Sequence, residues 1–449
     1  GNVYRREIDG GDATIVASRK TGPAGAPGGG TTPSISDDGN RIAFAIDRNG
    51  FYDALDTNGR SDVFVHDETA DTTVLASRKD GAAGIVDADG VSTQPVISGN
   101  GAYVAFESTA DQLDTANDPD TQPDVYRRSL GANTTQLVDI SAGGTKGGPA
   151  QRPTIDDSGE VVGWVSTTTA FDPADAVVAD PDVYLKSGNG DPELVSRADG
   201  NTGARSGDAD GAAVSGDGTQ VAMRAGSPIT TDLDPRQTSI VVRDVAASPR
   251  RTFSVSRPGG AGPFRNDGGS SFDLHLSADG RFAVFLTESA AFGLPDAASN
   301  AVVVRDLVTD TVTIASREDG PSGAVITDRV SEPEISADGR RVAFTRYSPG
   351  NTGVLVYVRD LATGRTFLAS RADGEGAAAG GFSSEPVLDA DGSRVAFTST
   401  ATQHGGQETT LQKIHQVVMH FGGIIVAPGY TDGSKFVDGN PYGVGHITG

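Results

Sequence analysis

The residues best suited to chemistry in this chain are side-chain oxygens set two and then four positions apart. The run Asp56-Thr57-Asn58-Gly59-Arg60-Ser61-Asp62 offers three of them, Asp56, Asn58 and Asp62, with Gly59 permitting a tight turn. Such a set suits a hard cation that takes oxygen ligands, calcium above all. Two later loops keep the acidity without the spacing: Asp114, Asp118, Asp120 and Asp124, then Asp172, Asp175, Asp180 and Asp182. None ends in a bidentate Glu, so the EF-hand pattern is not met. The competing reading is local, because Asx side chains hydrogen-bond to the turns they sit in. Six Ser-Arg pairs, from Ser18-Arg19 to Ser370-Arg371, pose the same choice. They form either a ring of anion-binding guanidiniums or a strand-end arginine paired with an Asp of the neighbouring turn. Only His66 and His275 are available as neutral-pH bases in residues 1–398. No local Ser-His-Asp arrangement accompanies them, and no catalytic residue is assigned there.

The elements that must position these residues repeat. A stretch reading Pro-x-Ile-Ser-x-Asp-Gly-x-x-Val-Ala-Phe returns about every 60 residues between Pro33 and Phe397, in seven copies. Each copy is two short β-branched or aromatic runs around an Asp-Gly type turn, which is a hairpin signal. Between the hairpins a second strand pair recurs. Its first member is of the type Asp62-Val63-Phe64-Val65; its second ends in Ser-Arg, with Val138-Asp139 breaking the pattern once. Four strands per period and almost no helical periodicity predict the blades of a β-propeller. The chain opens on the third strand of a unit, at Asn2, and the repeat ends on a second strand, at Phe397. The seventh blade is therefore expected to take two strands from each end of the chain, which closes the ring and removes a free edge. Trp164 stands at a Phe position of a hairpin and is expected in the core.

Composition narrows the function classes. The formal net charge of −24 argues against a surface that tracks nucleic-acid phosphates or an anionic membrane. No run of 18 apolar residues exists, so no membrane span is expected. The absence of cysteine excludes disulfides, thiolate metal sites and a Cys nucleophile. The 60 glycines and 23 prolines fall between strand runs and punctuate turns. The chain starts in mid-repeat on Gly1, as a processed or truncated fragment would.

The hairpin motif, followed by Asp-Val-Tyr-Val-Arg-Asp and Thr-x-x-Ala-Ser-Arg strings, resembles the TolB-type propeller repeat over residues 1–398. The resemblance implies an all-β, seven-bladed propeller. It also implies the company of periplasmic and secreted binding modules and of domains attached to peptidases, so it does not by itself imply an activity.

From about residue 398 the strand period stops. Leu411, Ile414, Val417, Val418 and Phe421 follow helical spacing, Gly422-Gly423 would end that helix, and Ile424-Ile425-Val426-Ala427 reads as a buried strand. Helix followed by apolar strand is an α/β signal foreign to a propeller. The strings from Phe397-Thr398-Ser399-Thr400 to Gly405-Gly406-Gln407-Glu408, then His420-Phe421-Gly422 and Gly439-Asn440-Pro441-Tyr442-Gly443, resemble the C-terminal part of WrbA-type flavodoxin-like NAD(P)H:quinone oxidoreductases. That resemblance implies an FMN-contacting loop formed by Ser399, Thr400, Ala401, Thr402, Gln403, His404, Gly405 and Gly406, with His420 as a further contact. No phosphate-cradling strand-loop-helix precedes residue 398, and about 50 residues cannot supply a doubly wound sheet. FMN is thus expected only if missing sequence completes the 399–449 fragment. The shared string Val-Ala-Phe-Thr-Ser-Thr at the junction fits a graft.

The leading expectation is a non-catalytic propeller that binds a protein or a small ligand on one of its faces, in the periplasm or outside the cell. It requires no cofactor, with calcium a candidate in the first acidic loop. The alternatives are an FMN-dependent quinone reductase through the tail, which would place the protein in the cytoplasm, and a hydrolase or lyase with its site in the propeller channel.

Overall fold

The computed structural model describes residues 1–22, 25–47, 58–81, 90–172, 180–205, 208–226, 229–230, 238–259, 271–296, 298–348, 353–374, 378 and 381–400. The expected tail helix and strand therefore lie outside the described residues, as does Asp175. The described strands form seven antiparallel sheets of four, a β-propeller. Blades 1 to 6 take consecutive strands over residues 31–75, 92–137, 150–194, 209–254, 271–314 and 330–368. Blade 7 is the clasp that the phase of the repeat predicts: Ser383–Leu388 and Arg394–Ser399 from one end, Asn2–Glu7 and Thr14–Val16 from the other. The join is in register, with Asn2 opposite Ser399 and Tyr4 opposite Phe397.

The sequence pattern follows from where each strand stands. Second strands are apolar at successive positions, as in Ile42-Ala43-Phe44-Ala45-Ile46, all buried, because both faces of a blade are covered by its neighbours. Outer strands alternate instead: Thr73 and Leu75 are buried while Val74 is 49% exposed. The core lies between blades, as where Ile97, Val104 and Phe106 of blade 2 pack on Ala43, Val63 and Val65 of blade 1. In several blades an aromatic pair joins the second and third strands, as in Phe44 on Phe64, Phe106 on Tyr126, and Trp164 on Tyr184, with stacked centroids 6.2, 5.9 and 6.0 Å apart. Trp164 is fully buried, as its place in the repeat implies. Each such pair adds about 0.5–1.5 kcal/mol beyond the area it buries.

The hairpin turn is tighter in its demands than an Asp-Gly dipeptide suggests. In blade 1, Gly39 N–H donates to Ser36 O at 2.8 Å, Gly39 is left-handed at φ +66°, and Asp38 Oδ1 accepts from the Ser36 hydroxyl and from Asn40 N–H. This is a turn closed by a left-handed glycine rather than a two-residue mirror-image turn. The seven turns are also chained together by backbone bonds from blade to blade. Asp37 N–H donates to Gly99 O, Asn100 to Asp157 O, Asp157 to Gly216 O, and Asp217 to Ala278 O. Ala278 donates to Ala337 O, Asp338 to Ala390 O, and Ala390 back to Asp37 O, all at 2.8–3.0 Å.

The Ser-Arg pairs serve the blade. The serine hydroxyl accepts the N–H that opens the third strand, as Ser77 does from Val63 and Ser370 from Val356, each at 3.0 Å. The arginine ties its own turn and the next blade, as Arg19 does through Gly22 O and Asp71. A second arginine series stands on the third strands. Arg128 and Arg243, fully or almost fully buried, donate to backbone carbonyls of the preceding blade's turn, Lys79 and Gly81 in one case, Ala198 and Gly200 in the other. His66 holds this position in blade 1 and bonds Thr73 Oγ1 at 2.8 Å.

Candidate ligand-binding site at the channel mouth

The first strand of every blade faces the channel, and every one of them carries the same irregularity. Two residues oppose one on the partner strand, at Thr31/Ser34 in blade 1 and at the equivalent points in the other six. At the bulge the backbone is left-handed: Thr32, Gln94, Arg152, Asp273, Glu332 and Glu385 have φ between 44° and 57°, and blade 4 uses Gly211 at 66°. A bulge of this kind re-aims a side chain. A non-glycine residue held at positive φ costs about 1–3 kcal/mol, and such strain collects at functional sites. In five blades the next residue is proline, which suits a bulge because no ladder N–H is needed there.

The result is a cavity of about 670 Å³ at this mouth, opposite the turn end. Its chemistry is uneven around the ring. Blades 5 to 7 contribute Asp273, Glu332, Glu334 and Glu385; blades 3 and 4 contribute Arg152 and Arg224 with Asp210; blades 1 and 2 contribute Thr32 and Gln94. Some of these groups hold the ring together. Glu385 Oε2 accepts Thr32 N–H and the Thr398 hydroxyl, both at 2.8 Å. Glu332 Oε2 accepts Glu385 N–H and the Thr345 hydroxyl, both at 2.7 Å. Glu107 Oε2, from the second strand of blade 2, caps Arg152 N–H at 3.3 Å, and burial holds its carboxyl above the usual range.

Other groups at the mouth pair through their side chains or face solvent. Asp273 and His275 are exposed. His275 Nδ1 lies 3.0 Å from Glu334 Oε2; packing works against the imidazolium, the carboxylate outweighs it, and the pKa stands above its ordinary value. Arg224 is paired with Asp210, and Arg152 Nη1 lies 3.7 Å from the same carboxylate. Among the described residues the partner of His275 is the Glu334 carboxylate. The arrangement of the mouth suits recognition of charge.

The sequence-derived candidates fall elsewhere. Asn58 Oδ1 accepts Arg60 N–H at 2.8 Å in an Asx turn, and Asp62 Oδ1 accepts the Ser77 hydroxyl at 2.8 Å. Asp56 lies outside the described residues. The described carboxylates that converge are those of the equivalent loop in blade 2, Asp118, Asp120 and Asp124. Ser399 ends the last strand and accepts the Ser383 hydroxyl at 2.8 Å, and Thr400 N–H donates to Phe382 O. Ala401, Thr402, Gln403, His404, Gly405, Gly406 and His420 lie outside the described residues. Of the residues at the mouth, the sequence reading singles out His275 alone, although a signal for the others exists: the residue before the recurring proline changes from copy to copy, Thr32, Gln94, Arg152, Glu332, Glu385.

No family model matches the chain. Among curated proteins it is similar to NAD(P)H dehydrogenase (quinone) of Rhodopseudomonas palustris strain TIE-1, 51% identical over 59 residues, which cover 12% of this chain and 30% of that protein. The enzyme of the same description from Deinococcus radiodurans is 51% identical over 49 residues, 11% of this chain and 24% of that protein. The chain thus spans less than a third of the length of these curated relatives. Among solved structures it is similar to TolB from Acinetobacter baumannii, with TM-score 0.41 and 14% identity over 81% of this chain and 65% of that one. It is also similar to oligogalacturonate lyase from Vibrio parahaemolyticus, with TM-score 0.48 and 10% identity over 88% and 96%. These likenesses are of fold.

Proposed function

We propose that the chain is a binding propeller whose ligand enters the bulged mouth of the channel and sets a cationic group against the acidic arc of blades 5 to 7. The observation that carries this reading is the ring of left-handed bulges, built identically in seven blades yet bearing a different side chain in most of them. A position that served only the blade would carry the same residue throughout, as the turn glycines do. A rigid scaffold that varies side chains at one mouth is how such folds carry specificity. Asp273, Glu332, Glu334 and Glu385 outnumber the arginines across the cavity, and a cleft lined with one sign of charge concentrates the opposite sign.

Titration calorimetry with a short oligolysine peptide and with an oligoglutamate peptide tests this. The oligolysine is expected to bind with an affinity that falls with salt, and the oligoglutamate is not. At a net charge of −24 a polycation is attracted in general, so the variants decide. Asp273→Asn and Glu334→Gln together should weaken oligolysine binding about tenfold, the equivalent of about 1.4 kcal/mol. Glu160→Gln, in the turn at the opposite end, should leave it unchanged. Equal effects at both ends would overturn the reading.

A further inference from the structure

In blade 2 the loop between the second and third strands brings Asp118, Asp120 and Asp124 together, their carboxylate oxygens within 4.8 Å of one another. Asp118 and Asp124 are buried, and Lys146 Nζ stands 2.9 Å from each of the three carboxylates. The Tyr126 hydroxyl donates to Asp118 Oδ2 at 2.6 Å.

The sister blades show how much of this the fold requires. In blade 1 the Ser77 hydroxyl accepts from Val63 N–H and donates to Asp62; in blade 3 Ser196 does the same between Val183 and Asp182. Arg205 then bonds Asp182 from the strand-end bridge that Lys146 occupies in blade 2. One carboxylate, one hydroxyl and one cation suffice. Blade 2 alone has an acid, Asp139, where the hydroxyl should be. Asp139 Oδ1 keeps the structural bond from Val125 N–H at 3.1 Å. Its Oδ2, in a residue with no exposed surface, has no hydrogen-bond partner, and neither has Asp124 Oδ1. A hydroxyl donor has been replaced by a second carboxyl against Asp124; burial raises the pKa of both carboxyls, and the Asp139 charge raises that of Asp124 further. Three carboxylates face one ammonium, with Asp139 a fourth acid against Asp124, and buried acceptors without a donor or a cation are costly.

We propose that Asp118, Asp120, Asp124 and Asp139 form a site for a divalent cation of the calcium type, which the Lys146 ammonium closes when no ion is bound. The donors are all oxygen and three or more are carboxylates, the set that calcium takes. Lysine suits the part of a removable occupant, since its ammonium is a point charge on a flexible stem.

Calcium titration of the whole chain after EDTA dialysis, read by calorimetry and by melting temperature, tests the proposal. Calcium should raise the melting temperature of the native protein, because an ion that binds only the folded state stabilises it. Asp139→Ser restores the sister blades' residue and should fold normally while losing the effect. Lys146→Met removes the competing ammonium and should bind at least about tenfold more tightly, some 1.4 kcal/mol. If Lys146→Met fails to fold, the native and Asp139→Ser titrations decide alone. Absence of any shift in the native protein at about 10 mM calcium, above the range of known protein sites, would overturn the proposal. So would an Asp139→Ser protein that binds calcium as tightly as the native one.

Discussion

The two ends of the channel are built from the same seven strands by opposite rules. At the turn end every blade does the same thing: a left-handed glycine closes the hairpin, and a backbone bond passes to the next blade until the ring returns to Asp37. At the bulged end the backbone is equally regular, but the side chains run Thr32, Gln94, Arg152, Gly211, Asp273, Glu332 and Glu385. Uniform backbone with uniform side chains marks what holds the ring; uniform backbone with varied side chains marks what the ring displays. Within the varied set a further division exists, because Glu332 and Glu385 bond neighbouring blades whereas Asp273 is exposed at the mouth.

The strongest way to break the comparison is at the turn end. A Cβ on Gly339 would overlap the Phe282 ring at Cδ2, in a residue at φ +71°. Gly339→Ala should therefore cost about 2–4 kcal/mol, from strained backbone and overpacking together, and denaturant unfolding measures it. Somewhat smaller is the effect of the one histidine in the third-strand arginine series. Burial, with the nearby Arg19 cation adding to it, lowers the His66 pKa from 6.5 to about 4. The unfolded chain then binds the proton more readily, so this contribution is complete above pH 6.5 and is lost as pH falls from there toward 4. About 2–3 kcal/mol should disappear across that window, visible as a falling melting temperature, and His66→Arg should flatten the profile.

At the bulged end the expected effects shrink and divide. Glu385→Ala leaves Thr32 N–H and the Thr398 hydroxyl without their acceptor and should cost about 1–3 kcal/mol. Asp273→Asn, which keeps a residue tolerant of positive φ, should shift stability by less than about 0.5 kcal/mol while weakening cationic ligands. Equal stability losses for the two would erase the division between ring-holding and ligand-facing carboxylates.

Much of the scaffold is legible in the chain because its determinants are local. The Asp-Gly turns, the apolar triplets such as Val104-Ala105-Phe106 and the Ser-Arg strand ends each specify their own hairpin within about 30 residues. The break at Val138-Asp139 is equally visible, yet its meaning is not: Asp139 matters because the fold sets it against Asp124, on which Asp118 and Asp120 converge. The blade 1 loop has the better spacing on paper; Asn58 caps its own turn there, and Asp56 lies outside the described residues. Spacing along a chain and convergence in space coincide only when the loop is short and its ends are fixed together.

The sequence by itself determined the number of blades, their four-strand content and the clasp that unites Asn2–Glu7 with Arg394–Ser399, since period and phase are properties of the chain alone. Only the tertiary structure decided which side chains share a space: the left-handed bulges that turn Arg152, Asp273 and Glu385 toward one mouth, and the three acids around Lys146. The physical reason is that a repeat encodes each blade's own hydrogen bonds, whereas a site is made where residues from different blades, or from strands far apart in one blade, are brought within a few ångströms by the closure of the ring.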